Sequence, residues 1–142
     1  MPALNPYLNF LGNTEEAFNF YKSVFGGEFA MIMRFSDTEH GTNLPDEDKS
    51  KIMHIALPIG SNMLMGTDCL TSMGQTLNFG NNFSISVNGD SLEHGQALFD
   101  GLSAGGNLIV PFKKEFWGDY FGNFFDKFGV QWMVNYRDIP KS

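Results

Sequence analysis

His54 is the histidine best placed to do chemistry, because it lies inside the strand-like run "KIMHIALPI". An imidazole titrates near neutrality, donates or accepts a hydrogen bond, and ligates transition metals. A half-buried structural histidine with a backbone partner accounts for the same residue equally well. His40 falls in a polar acidic stretch. His94 falls on the polar side of a helix, opposite Leu92 and Phe99. Trp117, Asp119 and Tyr120, in "FWGDYFGNFF", offer flat apolar surface with polar handles, and a carboxylate that can cap a turn or receive a ligand donor. Asp126 opens "DKFG", where a carboxylate accepting turn amides is expected. Arg34 and Asp68, at strand ends, are candidates for a charge pair. No Ser-His-Asp triad or P-loop is visible. "GNTEEA" has too few glycines for the nucleotide-binding loop that opens a methyl-transfer or dinucleotide fold. Cys69 stands alone, which excludes an internal disulfide and a cysteine metal cluster; it is expected as a small buried hydrophobe in a reducing cytoplasm.

The elements that must position these residues read twice along the chain. Asn13-Thr14-Glu15-Glu16 and Asp90-Ser91-Leu92-Glu93 each resemble a capping box, and each helix ends at a double glycine, Gly26-Gly27 or Gly105-Gly106. Ala17, Phe20, Tyr21, Val24 and Phe25 share one face of the first helix; Leu92, Gly95, Phe99 and Leu102 share one face of the second. A short strand precedes each helix and three follow it. In the first half these are "GEFAMIMRFS", "KIMHIALPI" and "NMLMGTD", with Gly60-Ser61 set for a type II′ hairpin turn. In the second they are "NLIVPFKK", "WGDYFGNFF" and "VQWMVNY". The spacing predicts an α+β chain of two βαβββ modules, residues 1–72 and 73–142. Ser36–Ser50 reads as a long polar loop, either a solvated connection or a lid. "LTSMGQTLNFGNN" joins the halves and is expected to pack through Met73, Leu77 and Phe79.

Bulk composition narrows the classes of function. With 42% hydrophobic and 18% charged residues the chain can build a core, so disorder is not expected. A net charge of −7 with scattered basic residues argues against nucleic acid as a partner. "MPALNPYLNF" has no secretory signal pattern, and no apolar run approaches a membrane span, so neither export nor a membrane is expected.

"NPYLNFLGNTEEAFNFYKSVFGGE" and "FWGDYFGNFFDKFGVQWMVN" together resemble the PhnB-like branch of the vicinal oxygen chelate superfamily, which includes glyoxalase I, bleomycin-resistance proteins and extradiol dioxygenases. Some sequences of this branch carry the label of a demethylubiquinone methyltransferase. The resemblance spans essentially the whole chain. The cytoplasmic location is expected from the lone thiol; the resemblance implies half-barrel modules that close around a cavity, usually within a homodimer. Strand alternation is compatible with this: Tyr7 and Asn9 oppose Leu8 and Phe10, Ser84 and Ser86 oppose Ile85 and Val87, and Gln131, Met133 and Asn135 oppose Trp132 and Val134. Such mixed faces suit a solvated sheet or a ligand cavity. The resemblance favours the cavity, and the candidate ligand-binding residues are then Tyr7, Asn9, His54, Ser84, Trp117, Asp119, Tyr120 and Met133.

Metal-dependent members place His and Glu ligands on these strands. Here the matching positions hold Asn5, Pro6 or Tyr7, then Asn82 or Ser84, then Met133, and only His54 remains. No cofactor is therefore expected, and the leading expectation is a small-molecule binder with no assigned catalysis. The alternatives are a lyase, isomerase or dioxygenase with an unconventional metal site on His54, and a non-catalytic dimeric interaction module.

Overall fold

A computed structural model describes residues 2–137. The chain divides into two compact units, Met1–Asn78 and Phe79–Ser142. The joining segment up to Asn78 therefore goes with the first unit, a few residues beyond the expected boundary at Ser72. Gln75 ties it there by exchanging hydrogen bonds with Leu70.

The first unit runs β1 (Tyr7–Phe10), α1 (Thr14–Phe25), β2 (Met31–Arg34), a short α2 (Asp46–Lys49), β3 (Ile52–Ile59) and β4 (Asn62–Asp68). The second runs β5 (Ile85–Asn88), α3 (Leu92–Ser103), β6 (Asn107–Lys114), β7 (Asp119–Phe125) and β8 (Gln131–Arg137). The sheet orders are β1-β4-β3-β2 and β5-β8-β7-β6. In each sheet the first strand runs parallel to the last, and the remaining pairs are antiparallel. The expected α+β architecture of two βαβββ modules is present.

Each sheet buries one face under its helix. In the first unit Phe18 of α1 lies on Gly66, whose register partners are Leu8 and Ile55, so those side chains share the covered face. A Cβ at Gly66 would come within 2.6 Å of the Phe18 ring, so the close approach requires glycine. Phe10, Ala17, Phe18, Tyr21, Ile55 and Leu57 are fully buried there, and each large side chain contributes about 1.5–3 kcal/mol of transfer free energy. In the second unit Phe99 of α3 lies on Gly122, and Phe124, Trp132, Val134 and Leu102 complete the core.

Both helix faces differ from expectation by small rotations. Phe18 is buried where Phe20, Val24 and Phe25 are only half-buried. Leu98 is buried and Leu92 is exposed. The Gly66 approach draws Phe18 inward, a tertiary contact that periodicity does not register. The helix starts differ too. The Asn13 side chain makes no cap hydrogen bond, and Ser91 rather than Asp90 caps α3 by accepting from the His94 amide. Gly60, at φ 59°, with no positive φ at Ser61, fits the II′ turn.

Residues 36–50 are not a plain loop. They form short helical turns at 35–37, 39–43 and α2. Asp48 is buried, and its carboxylate accepts from Lys51 Nζ at 2.8 Å and Ser72 Oγ at 2.5 Å. These bonds hold its carboxyl below the ordinary range, Lys51 foremost. In the joining segment Met73 and Phe79 are exposed rather than packed. No described helix is long and apolar enough to cross a membrane.

Candidate functional site

Since helices cover one face of each sheet, functional side chains must come from the open faces or the loops. On the open face of the first unit, Tyr7 and Asn9 of β1 lie beside Met65 and Thr67 of β4, and His54 of β3 lies beside Met33 of β2. Tyr7 Oη stands 3.4 Å from His54 Nδ1, with ring centroids 5.7 Å apart. Asn9 Oδ1 accepts from Cys69 Sγ at 3.7 Å, so the half-buried thiol borders this face rather than filling the core. The structure thus brings together Tyr7, Asn9 and His54.

The methionines follow the same logic. None of the described ones is buried. Met31, Met33, Met63 and Met65 alternate with covered residues, which places them on the open face. Strand parity puts them outside the core, as a flexible, polarisable lining.

On the open face of the second unit, Ser86 pairs in register with Met133, Asn88 with Asn135, and Asp119 with Arg137. A concavity of about 500 Å³ opens here, lined by Ser86, Asn88, Asp119, Met133, Asn135 and Arg137 among others. Asp119 accepts from Arg137 Nε at 2.9 Å and Nη2 at 3.1 Å, a side-on two-bond pair. The guanidinium holds the Asp119 carboxyl below the ordinary range, and burial opposes it. Asn135 Nδ2 donates to Ser86 Oγ at 2.8 Å.

Trp117, in the turn just before Asp119, adds a side-chain hydrogen bond that helps lower the Asp119 carboxyl; the other sequence candidates of this unit lie apart from that group. Tyr120 points to the helix-covered side, with Phe112 at 5.9 Å and Tyr136 at 6.3 Å between ring centroids. Trp117 is in the β6–β7 turn, half exposed, its ring edge-on to the almost fully exposed Phe116. Ser84 precedes β5 instead of lying in it. Asp126 does cap its turn: it accepts from the Phe128 and Val130 amides, and also from Trp132 Nε1 at 2.8 Å. Phe125 shares the open face with Gln131 rather than joining Phe124 in the core. His94 Nδ1 accepts from the Asp90 amide, an end-of-helix contact on an exposed surface.

Arg34 does not pair with Asp68. It forks onto Glu15 at 2.6 and 3.0 Å and reaches the Ser50 carbonyl. Asp68 is buried and accepts from the amides of Gly12, Thr14 and Ile52 and from the Thr14 hydroxyl. It thereby performs the capping expected of Asn13. Arg137 and Asn88 are the site residues that sequence reasoning missed, while Ser86 and Asn135 were placed on the mixed faces without being named as ligand candidates. The alternation Met133–Asn135–Arg137 along one strand was the available signal.

The donor set does not fit a divalent metal. No group of three or more His, Cys, Asp or Glu converges among the described residues. On the open faces the imidazole of His54 meets the Tyr7 phenol, with Met33 as its register partner, and the Asp119 carboxylate is bound to a guanidinium. Nothing there offsets the hydration a cation would lose.

Two modules of this order, each a helix-backed sheet with an open face, make up the glyoxalase-like fold class. The same fold occurs in a glyoxalase/bleomycin resistance protein/dioxygenase family enzyme from Burkholderia phytofirmans, at 18% identity and TM-score 0.57 over 92% of this chain and 95% of that one. Within that class the chain belongs to the family described as 3-demethylubiquinone-9 3-methyltransferase, whose model matches residues 2–135. It is 30% identical to Protein YjdN of Escherichia coli, over 93% of each chain. It is 37% identical to protein PA1353 of Pseudomonas aeruginosa, with TM-score 0.84 over 96% of this chain and 98% of that one. The PhnB protein of Bacillus cereus, which bears the same methyltransferase description, matches at 24% identity and TM-score 0.76, over 95% and 99%. The family description names a methyl transfer. In this chain the turn after β1 presents its Gly12 and Thr14 amides to the Asp68 carboxylate, so they are already occupied by an internal anion.

Proposed function

We propose that this protein binds a small organic molecule on the open face of its second unit, without a resident metal, and acts as a cytoplasmic homodimer. The observation that carries the reading is the concavity of about 500 Å³ with convergent polar groups from β5, β7 and β8 beside the Met133 thioether. That volume, with several oriented polar groups around one thioether, suits a small polar ligand with a short apolar part. The lone Cys69 is consistent with a reducing compartment. Exposed Leu108 and Ile109 on edge strand β6 favour a second copy as neighbour. A lyase, isomerase or dioxygenase built on His54 gains no support, for want of an anionic ligand beside the imidazole.

Thermal-shift screening against a library of aromatic and aliphatic compounds tests the reading. Hits are expected to disappear in Met133→Lys, which fills the concavity with a charge. A library without a single stabilising compound, or hits that persist unchanged in Met133→Lys, removes this face as the site.

A further inference from the structure

The Asp119–Arg137 pair leaves one edge of the guanidinium unspent. Arginine carries five N–H donors, and Asp119 takes Nε and one of Nη2. The N–H groups of Nη1 and the outer one of Nη2 have no acceptor among the described residues. They form a second fork, matched to two oxygens of one planar anion. Asp119 lies beneath, with its side chain 20% exposed, while that of Arg137 is 66% exposed and faces outward. A ligand therefore meets the cation of the pair first. Because Asp119 already fixes the guanidinium, little further side-chain freedom is lost when an anion docks.

The rest of the face fixes what that anion is attached to. Ser86 Oγ accepts from Asn135 Nδ2, which leaves the Ser86 hydroxyl as a donor and Asn135 Oδ1 as an acceptor. Along β8, Asn135 is about 7 Å and Met133 about 13 Å from Arg137, by the rise of an extended strand. Among the described residues, Asp119 and Arg137 are the only charged ones lining the concavity. A singly charged ligand group is therefore matched, and a dianion lacks a second cation. Much of the acidic excess lies elsewhere, with five carboxylates between Asp37 and Asp48.

We propose that Arg137 selects an organic monocarboxylate, whose hydroxyl or amide substituent meets Asn88, Asn135 and Ser86 and whose apolar body rests on Met133. This rests on the reading of the second-unit face as a binding site and adds the charge class of its ligand.

The test is an NMR titration of the 15N-labelled full chain with para-hydroxyphenylacetate and, separately, its uncharged amide, at concentrations up to the millimolar range. The acid is expected to shift Ser86, Asn88, Asn135 and the Arg137 side chain, and to bind about tenfold more tightly than the amide. Arg137→Gln is expected to abolish that preference, and Arg137→Lys, which keeps the charge but not the fork, to lose most of it. Both variants should melt as the parent does. Equal affinity for acid and amide in the parent overturns the role of Arg137 and leaves the binding face standing. No shift at this face with either probe overturns both. Unaltered preference in Arg137→Gln also overturns the assignment.

Discussion

The two units share strand order and sheet topology but use their buried carboxylates for different tasks. In the first, Asp68 at the end of β4 reaches the start of α1 and the start of β3, joining segments some fifty residues apart in sequence. In the second, the helix is capped locally by Ser91, and the buried carboxylate, Asp126, organises the β7–β8 turn and holds the Trp132 indole. The same architecture thus closes in one unit through a long-range polar tie and in the other through short-range ones. Any substitution at the long-range tie should be felt across its whole unit.

Asp68→Ala should therefore have the largest effect. It strands the amides of Gly12, Thr14 and Ile52 in buried or part-buried positions, at about 1–3 kcal/mol for each buried donor left unsatisfied. A loss on the order of 4 kcal/mol is expected in urea unfolding. Ser91→Ala removes a single cap contact and should cost about 1 kcal/mol. Similar losses for the two variants would dissolve the contrast between the units.

A second contrast concerns the glycines beneath the helices. An added Cβ at Gly122 meets the Phe99 ring at 2.5 Å and the Phe112 backbone at 3.0 Å. At Gly66 it meets the Phe18 ring at 2.6 Å, with the nearest backbone atom, Leu8 O, at 3.3 Å. A ring can shift where a neighbouring strand cannot, and Phe99 is itself stacked on Phe112. Both alanine variants should lose about 1–3 kcal/mol, with Gly122→Ala at the upper end. A calorimetric ranking in the opposite order would mean that Phe18 is the less adaptable ring.

The repeated order of elements was legible because glycines and local caps punctuate it, and sheet topology followed from that order. Asp126 was legible for the same reason, since its turn partners lie within a few residues. Asp68 was not, because nothing near it in sequence hints at amides brought to it by folding. Arg34 was read as the partner of Asp68 on the strength of opposite charge, but it finds Glu15 on α1 instead. Alternation put Tyr7 and Asn9 on one face, and the sheet register sets His54 of β3 on that same face. Tyr120 was drawn in by the aromatic motif, although its neighbour Asp119 already claimed the open side. Arg137 went unnoticed because its meaning depends on the register with Asp119 across a hairpin.

The smallest predicted effect separates two arginine–carboxylate pairs that look alike. Arg34 holds Glu15 as Arg137 holds Asp119, and in both cases hydrogen bonding to the guanidinium depresses the carboxyl pKa. A depressed folded-state value gives stability that is present above the unfolded carboxyl pKa, about 4. That stability fades as pH falls through the folded value. For the partly exposed Glu15 pair this amounts to about 0.2–1 kcal/mol. The pairs differ in what else the arginine touches. Arg34 Nη1 also donates to the Ser50 carbonyl at 2.9 Å, so it anchors the end of the 36–50 segment. Arg34→Gln should raise amide hydrogen exchange around residues 36–50 while barely altering the melt, and acidification below about pH 4 should do the same in the parent. Arg137→Gln should leave exchange in that segment unchanged. A uniform rise across the first unit in Arg34→Gln would show that the pair supports the whole first sheet rather than its adjoining segment.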